Sequence, residues 1–137
     1  MTRYDTDFVS WTREQAACLR SMPDTHGLDI VNLVDEIEGL GRSAVAELSA
    51  ALRRVLVGLI DLSLEPGTAS VEDIYSARSD VIMRAENGVW QHVDLDQAWR
   101  LAKRAVDIDL HERCPLSSEQ LISENFDVEK MSAALRL

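Results

Sequence analysis

Apolar residues recur at helical spacing along most of this chain. From Ile30, Val34, Ile37 and Leu40 through Ala44, Leu48, Ala51 and Val55 to Leu59 and Leu62, one helical phase is kept without interruption. A loop at Gly39-Leu40-Gly41 would scramble that phase. A straight helix over this span would be about 50 Å long, against roughly 37 Å for the diameter of a globule of this size. A continuous helix from near Asp29 to near Ser63 that bends around Gly39 to Gly41 reconciles the two, since a glycine weakens a helix by only about 1 kcal/mol.

Shorter elements surround it. Thr12-Arg13-Glu14-Gln15 has the form of a capping box, with Trp11 and Ala16 spaced as a hydrophobic staple, which predicts a helix from about Arg13 to Met22 ended before Pro23. Asp7 to Ser10 reads as a preceding turn of helix that tucks Phe8 and Trp11 onto the core. Asp29 is placed to cap the long helix. Ser70-Val71-Glu72-Asp73 opens another helix, closed by Asn87-Gly88. Asp94 caps a fourth, predicted to run to about Arg113 before Cys114-Pro115. Ser117-Ser118-Glu119-Gln120 is a second capping box for a short helix, and Asp127 starts a last one. Strict alternation of β-branched residues is absent, prolines fall only at 23, 66 and 115, and no internal repeat appears. The expectation is a single all-α domain over residues 1–137, a small bundle of about five main helices built around one long, kinked helix.

Composition narrows the function. With 137 residues, 46% hydrophobic and 28% charged, the chain has material for one real core. The formal net charge is −10, from 14 Lys and Arg against 24 Asp and Glu. Phosphate backbones demand a basic footprint. Arg53-Arg54 and Lys103-Arg104 are each two residues long and read as solvated helix edges, so no nucleic-acid binding is expected. No apolar run approaches the ~18 residues of a membrane span, and the polar, acidic N-terminus does not resemble a signal peptide. A cytoplasmic location without membrane contact is the expectation. Cys18 and Cys114 lack Cys-x-x-Cys spacing; Cys18 reads as a small core residue.

The stretch Gly27 to Ser43 is rich in carboxylates. Asp29 serves as a cap, Asp35 and Glu36 flank the apolar phase, and Glu38 and Arg42 form a favourable i,i+4 pair worth about 0.2–0.5 kcal/mol. A solvated acidic face therefore accounts for every charge. Chemistry there would need help that the sequence does not supply. Glu-x-x-His, His-x-x-x-His and His-Glu-x-x-His are missing. His111 and Cys114, three apart, make at most half a metal site. Gly39-Leu40-Gly41-Arg42-Ser43 lacks both the lysine and the preceding strand of a phosphate loop. No catalytic residue, metal or cofactor is assigned.

Three segments carry a family resemblance. Tyr4 to Gln15 looks like the opening of the bacterial "domain of unknown function 29" family, Leu28 to Ser43 resembles its most recognisable motif, and Cys114-Pro115-Leu116-Ser117 with Glu119-Gln120-Leu121 is similar to its closing motif. The resemblance spans residues 4 to about 126 and implies an all-helical fold and no assigned activity. It also implies His, Lys and Trp where this chain has Gly58, Asp61 and Leu62, and a Trp where it has Val71, while Ile74 and Arg78 match. Chemistry resting on the family's His and Lys would be lost here.

The functional expectation is a non-catalytic protein-interaction or regulatory module, acting through a protein partner or itself, with Glu36, Glu38, Arg42 and Arg78 as the ligand or partner surface. An enzyme using carboxylate acid–base or metal chemistry near Glu36, Glu38 and Arg78 is the alternative, and an antitoxin-like acidic partner of a basic protein a second. A homodimer is expected. Val55, Leu59 and Leu62 of the long helix would otherwise be uncovered, while the terminal segment 127–137, with Val128, Met131 and Leu135 on one face, docks either on its own bundle or on a second subunit.

Overall fold

The computed structural model describes residues 2–23, 26–64 and 68–135. Seven α-helices occur among them: α1 (Arg3–Thr6), α2 (Phe8–Arg20), α3 (Ile30–Leu64), α4 (Val71–Arg84), α5 (Leu95–Ala105), α6 (Ser118–Ile122) and α7 (Val128–Ala134), with a 3-10 turn at Val89–His92. No strand occurs among the described residues. The long helix is continuous through Gly39 and Gly41, as its unbroken apolar phase requires. Pro66 and the last two residues of the tail lie outside the described residues.

The chain divides into two compact units, one of residues 1–47 and 84–93, the other of residues 48–83 and 94–137. In the first, α2 begins five residues before the Thr12 capping box predicts. Asp7 is the cap: its Oδ1 accepts from the Ser10 amide at 3.2 Å. Thr12 lies inside the helix, buried, and its hydroxyl donates to the Val9 carbonyl at 2.7 Å. The segment after α4 makes Asp7 the better start. Asn87 accepts from the Phe8 amide, Gln91 Nε2 donates to the Thr6 carbonyl at 3.1 Å, and His92 Nε2 meets Asp7 Oδ1 at 2.7 Å. Gly88 permits this clasp, because its φ of 72° suits glycine and any Cβ there would strike the Thr6 carbonyl. Tyr4, Phe8 and Trp11 form an aromatic cluster with ring centroids 4.9 to 5.9 Å apart. Cys18 is exposed, contrary to the core reading. Val9, Thr12 and Ala16 bury the inner face of α2, and Cys18 falls half a turn away from Ala16.

The second unit is built on the C-terminal half of α3. Leu48, Leu52, Val55, Leu56, Leu59 and Ile60 are all buried, and so is Leu62. This overturns the expectation that Val55, Leu59 and Leu62 are left for another subunit to cover. Gly58 lets α4 approach, since a Cβ there would come within 2.7 Å of Ile74 Cγ1. The α5 helix stops at Ala105 rather than near Arg113. Its end is a Schellman motif without glycine: Asp107 takes φ 52°, its amide bonds the Arg104 carbonyl, and the Ile108 amide bonds the Lys103 carbonyl. The chain then folds back over α5. Trp99 Nε1 donates to the His111 carbonyl at 2.7 Å, and Lys103 Nζ donates to the carbonyls of Leu110 and His111 at 2.9 Å each. The tail docks within this unit, with Val128, Ser132 and Leu135 buried.

Candidate functional site

In the first unit, α2, the N-terminal part of α3 and the 3-10 turn enclose a cleft of about 590 Å³ lined by Val9, Thr12, Arg13, Glu38, Gly41, Arg42, Val45, Ala46 and His92. At Gly41 the two helices approach closely: a Cβ there would collide with the Thr12 hydroxyl and lie 3.5 Å from Thr12 Cβ. The sequence placed glycine at this point but gave no sign of its partner.

Glu38 is the charged centre of the wall. Its Oε1 meets Arg20 Nη1 at 2.8 Å, and its Oε2 stands 3.9 Å from Arg42 Nη1. The hydrogen bond from Arg20 holds the Glu38 carboxyl below its usual range; burial acts in the opposite direction, and the charges of Arg20, Arg42 and Arg13 add to the lowering. Behind His92, its partner at 2.7 Å, burial pushes the Asp7 carboxyl up, but hydrogen bonds from Ser10 and His92 outweigh it and bring it down to about 2.

The remaining expected site residues lie elsewhere. Glu36 is exposed and does not line the cleft. Arg78 belongs to the second unit, where its guanidinium is engaged by backbone. Nε donates to the Leu121 carbonyl at 2.9 Å, Nη2 donates to the Ser123 carbonyl, and the group lies 4.7 Å from the centroid of the Phe126 ring. Tyr75 supports the same ring edge-on and donates to the Phe126 carbonyl. Arg78 thus ties α4 to the strap after α6.

Burial pushes the Cys114 thiol up to about 11, with Asp96 adding to the rise and a backbone hydrogen bond from Leu116 opposing it. A thiol so placed is a poor nucleophile and a poor metal ligand. Among the described residues no group of three or more His, Cys, Asp or Glu is placed to hold a metal ion, and no helix is long and apolar enough to cross a membrane.

The family model described as Domain of unknown function DUF29 matches residues 3–127. The chain is a DUF29 protein. Its fold is shared by an alpha-helical protein of unknown function from Rhodospirillum rubrum, known from a crystal structure. The match has a TM-score of 0.80 and 24% identity, and covers 100% of this chain and 99% of that one. At that identity the likeness speaks to fold alone. No curated protein matches the sequence. In this DUF29 protein the stretches Tyr4–Gln15 and Leu28–Ser43, which carry the sequence resemblance, supply Val9, Thr12, Arg13, Glu38, Gly41 and Arg42 of the cleft wall. These two segments therefore supply most of the cleft wall, together with Val45 and Ala46 from α3 and His92 from the clasping segment.

Proposed function

We propose that this DUF29 protein is a non-catalytic interaction module that pairs with a second copy of itself through the outer side of α3. The observation that supports it is a stripe of apolar side chains that the rest of the chain leaves partly open. Leu33 is 37% exposed and Leu40 56%, with Ile37 and Ala44 half-buried between and beyond them. Their spacing of four, three and four is that of a coiled-coil seam. It is also symmetric about the point between Ile37 and Leu40. In an antiparallel two-fold pairing Ile37 faces the partner's Leu40, and Leu33 faces the partner's Ala44, large against small. Self-complementarity of this kind is what a two-fold interface needs. Glu36 edges the seam and falls opposite Ser43 in that register, so like charges are not forced together.

Burial of the Cys114 thiol, which raises it to about 11, disfavours it as a nucleophile. Sedimentation equilibrium across a concentration series tests the pairing. The native chain should approach twice its 15.3 kDa mass, and Leu40→Glu should be monomeric with an unchanged circular dichroism spectrum. A single species of one chain's mass at all concentrations rejects the dimer.

A further inference from the structure

The cleft and the seam lie on different sides of α3, so what the cleft holds is a separate question from pairing. The charges on the cleft wall do not balance. Glu38 takes its 2.8 Å partner, Arg20, from outside the lining residues, and its contact with Arg42 is the longer one at 3.9 Å. Arg42 keeps 66% of its side chain exposed. Arg13 is also exposed and, among the described residues, makes no ion pair at contact distance, although its charge reaches Glu38. Two guanidiniums thus flank one cleft while its single carboxylate is already satisfied by a third. Two arginines flanking one cleft run against the chain's formal charge of −10.

The rest of the lining has another character. Val9, Val45 and Ala46 are apolar, Gly41 exposes no side chain, and the Thr12 hydroxyl has its proton committed to the Val9 carbonyl and an oxygen lone pair to spare. A lining of apolar groups with a few convergent charged ones, around a volume of about 590 Å³, matches the make-up of small-molecule sites. Guanidinium forks favour planar or tetrahedral oxyanions, which they grip through paired N–H groups.

We propose that the cleft binds a small organic anion, its carboxylate or phosphate head held by Arg13 and Arg42 and its short aliphatic body lying against Val45 and Ala46. The head has the same chemistry in both forms, a compact oxyanion that accepts paired hydrogen bonds. The body supplies the apolar contact that a free inorganic ion lacks.

The test uses the full chain, ¹⁵N-labelled, titrated with hexanoate, hexyl phosphate, acetate, inorganic phosphate and hexylamine at fixed ionic strength. Saturable shifts of the Thr12, Gly41 and Val45 amides are expected with hexanoate or hexyl phosphate, and the tighter of the two names the head. Acetate and inorganic phosphate should bind at least tenfold more weakly, and hexylamine should not bind. Arg13→Gln and Arg42→Gln should each weaken the better ligand tenfold or more without moving the melting temperature. Arg53→Gln, an exposed arginine of the second unit, should leave binding unchanged. The proposal is overturned if neither amphiphilic anion gives saturable shifts at the cleft, if hexylamine does so equally well, or if both cleft variants bind as the native chain does. None of these outcomes bears on the sedimentation result, because Leu33, Ile37, Leu40 and Ala44 are absent from the cleft lining.

Discussion

Gly41 of α3 stands directly against the Thr12 hydroxyl of α2, so that a methyl group at position 41 would occupy space that the threonine already fills. Thr12 has little freedom to retreat, being buried and hydrogen-bonded to the Val9 carbonyl. Gly41→Ala is expected to destabilise the protein by about 1–3 kcal/mol, the usual range for overpacking. At Gly39 an added Cβ would meet only Arg42 Nη2, at an ordinary 3.6 Å. Gly39→Ala should therefore stabilise by about 0.4–1 kcal/mol through the unfolded chain. Urea denaturation of the pair measures both signs. Equal effects at the two positions would remove the close approach as the explanation.

The cap of α2 carries a pH dependence. Asp7 falls from 3.8 to about 2 in the folded chain, so its contribution to stability is complete above 3.8 and is lost as pH falls through about 2. Asp7→Asn keeps a capping side chain but loses the charge that faces His92 and, at 3.8 Å, Arg3. The substituted protein should be less stable than the native one at pH 6 by about 1.5 kcal/mol, the size of one hydrogen bond to a charged group. The difference should shrink between pH 4 and pH 2. A gap independent of pH over that range would show that the charge is not what stabilises the cap.

Arg78 serves two carbonyls and an aromatic face at once. Lysine has the charge but not the planar fork. Arg78→Lys should lower stability by about 1.5–3 kcal/mol. Hydrogen exchange should report faster opening of α6 and α7 than of α3 in that variant. Native stability in Arg78→Lys would mean the charge alone suffices.

The two thiols should react very differently. Cys18 is exposed, whereas Cys114 is half-buried with its thiol raised to about 11. At pH 8 the Cys114 thiol is therefore held in its protonated, unreactive form. Iodoacetamide should label Cys18 in the native protein, spare Cys114, and label both in urea, as peptide mass spectrometry would read. Native labelling of Cys114 at the rate of Cys18 contradicts the burial.

Much of the fold was legible because its signals are local. Asp29, Asp94, Ser117 and Asp127 each accept from the amide three residues on, as the cap patterns require. The long helix was readable from phase alone, since nothing between Ile30 and Leu62 breaks the stripe. What failed was decided at a distance. Thr12 has a good cap signature, but the segment around His92 reaches back to Asp7 and starts the helix earlier. Asp107 ends α5 in a conformation usually given to glycine, and only the hydrogen bonds that follow reveal it. In the cleft, Glu38 and Arg42 were visible as an i,i+4 pair. Arg20, the nearer partner of Glu38, and Arg13 belong to another helix and left no pattern in the sequence.

The division of the chain into units also sets an order of events during synthesis. The first unit needs residues 84–93 to close on residues 1–47, and the second needs residues 94–137 to complete what begins at residue 48. Nascent chain emerges N-terminus first. The N-terminal 47 residues must therefore wait for the clasping segment, Gly88 to His92, while the whole of α3 and of α4 is already outside the ribosome. The second unit then waits for the α7 tail, the last described helix to be made. A ribosome stalled after residue 80 should carry a chain in which neither unit is closed; a chain whose residues up to about 100 have left the exit tunnel should carry the first unit closed and the second still open.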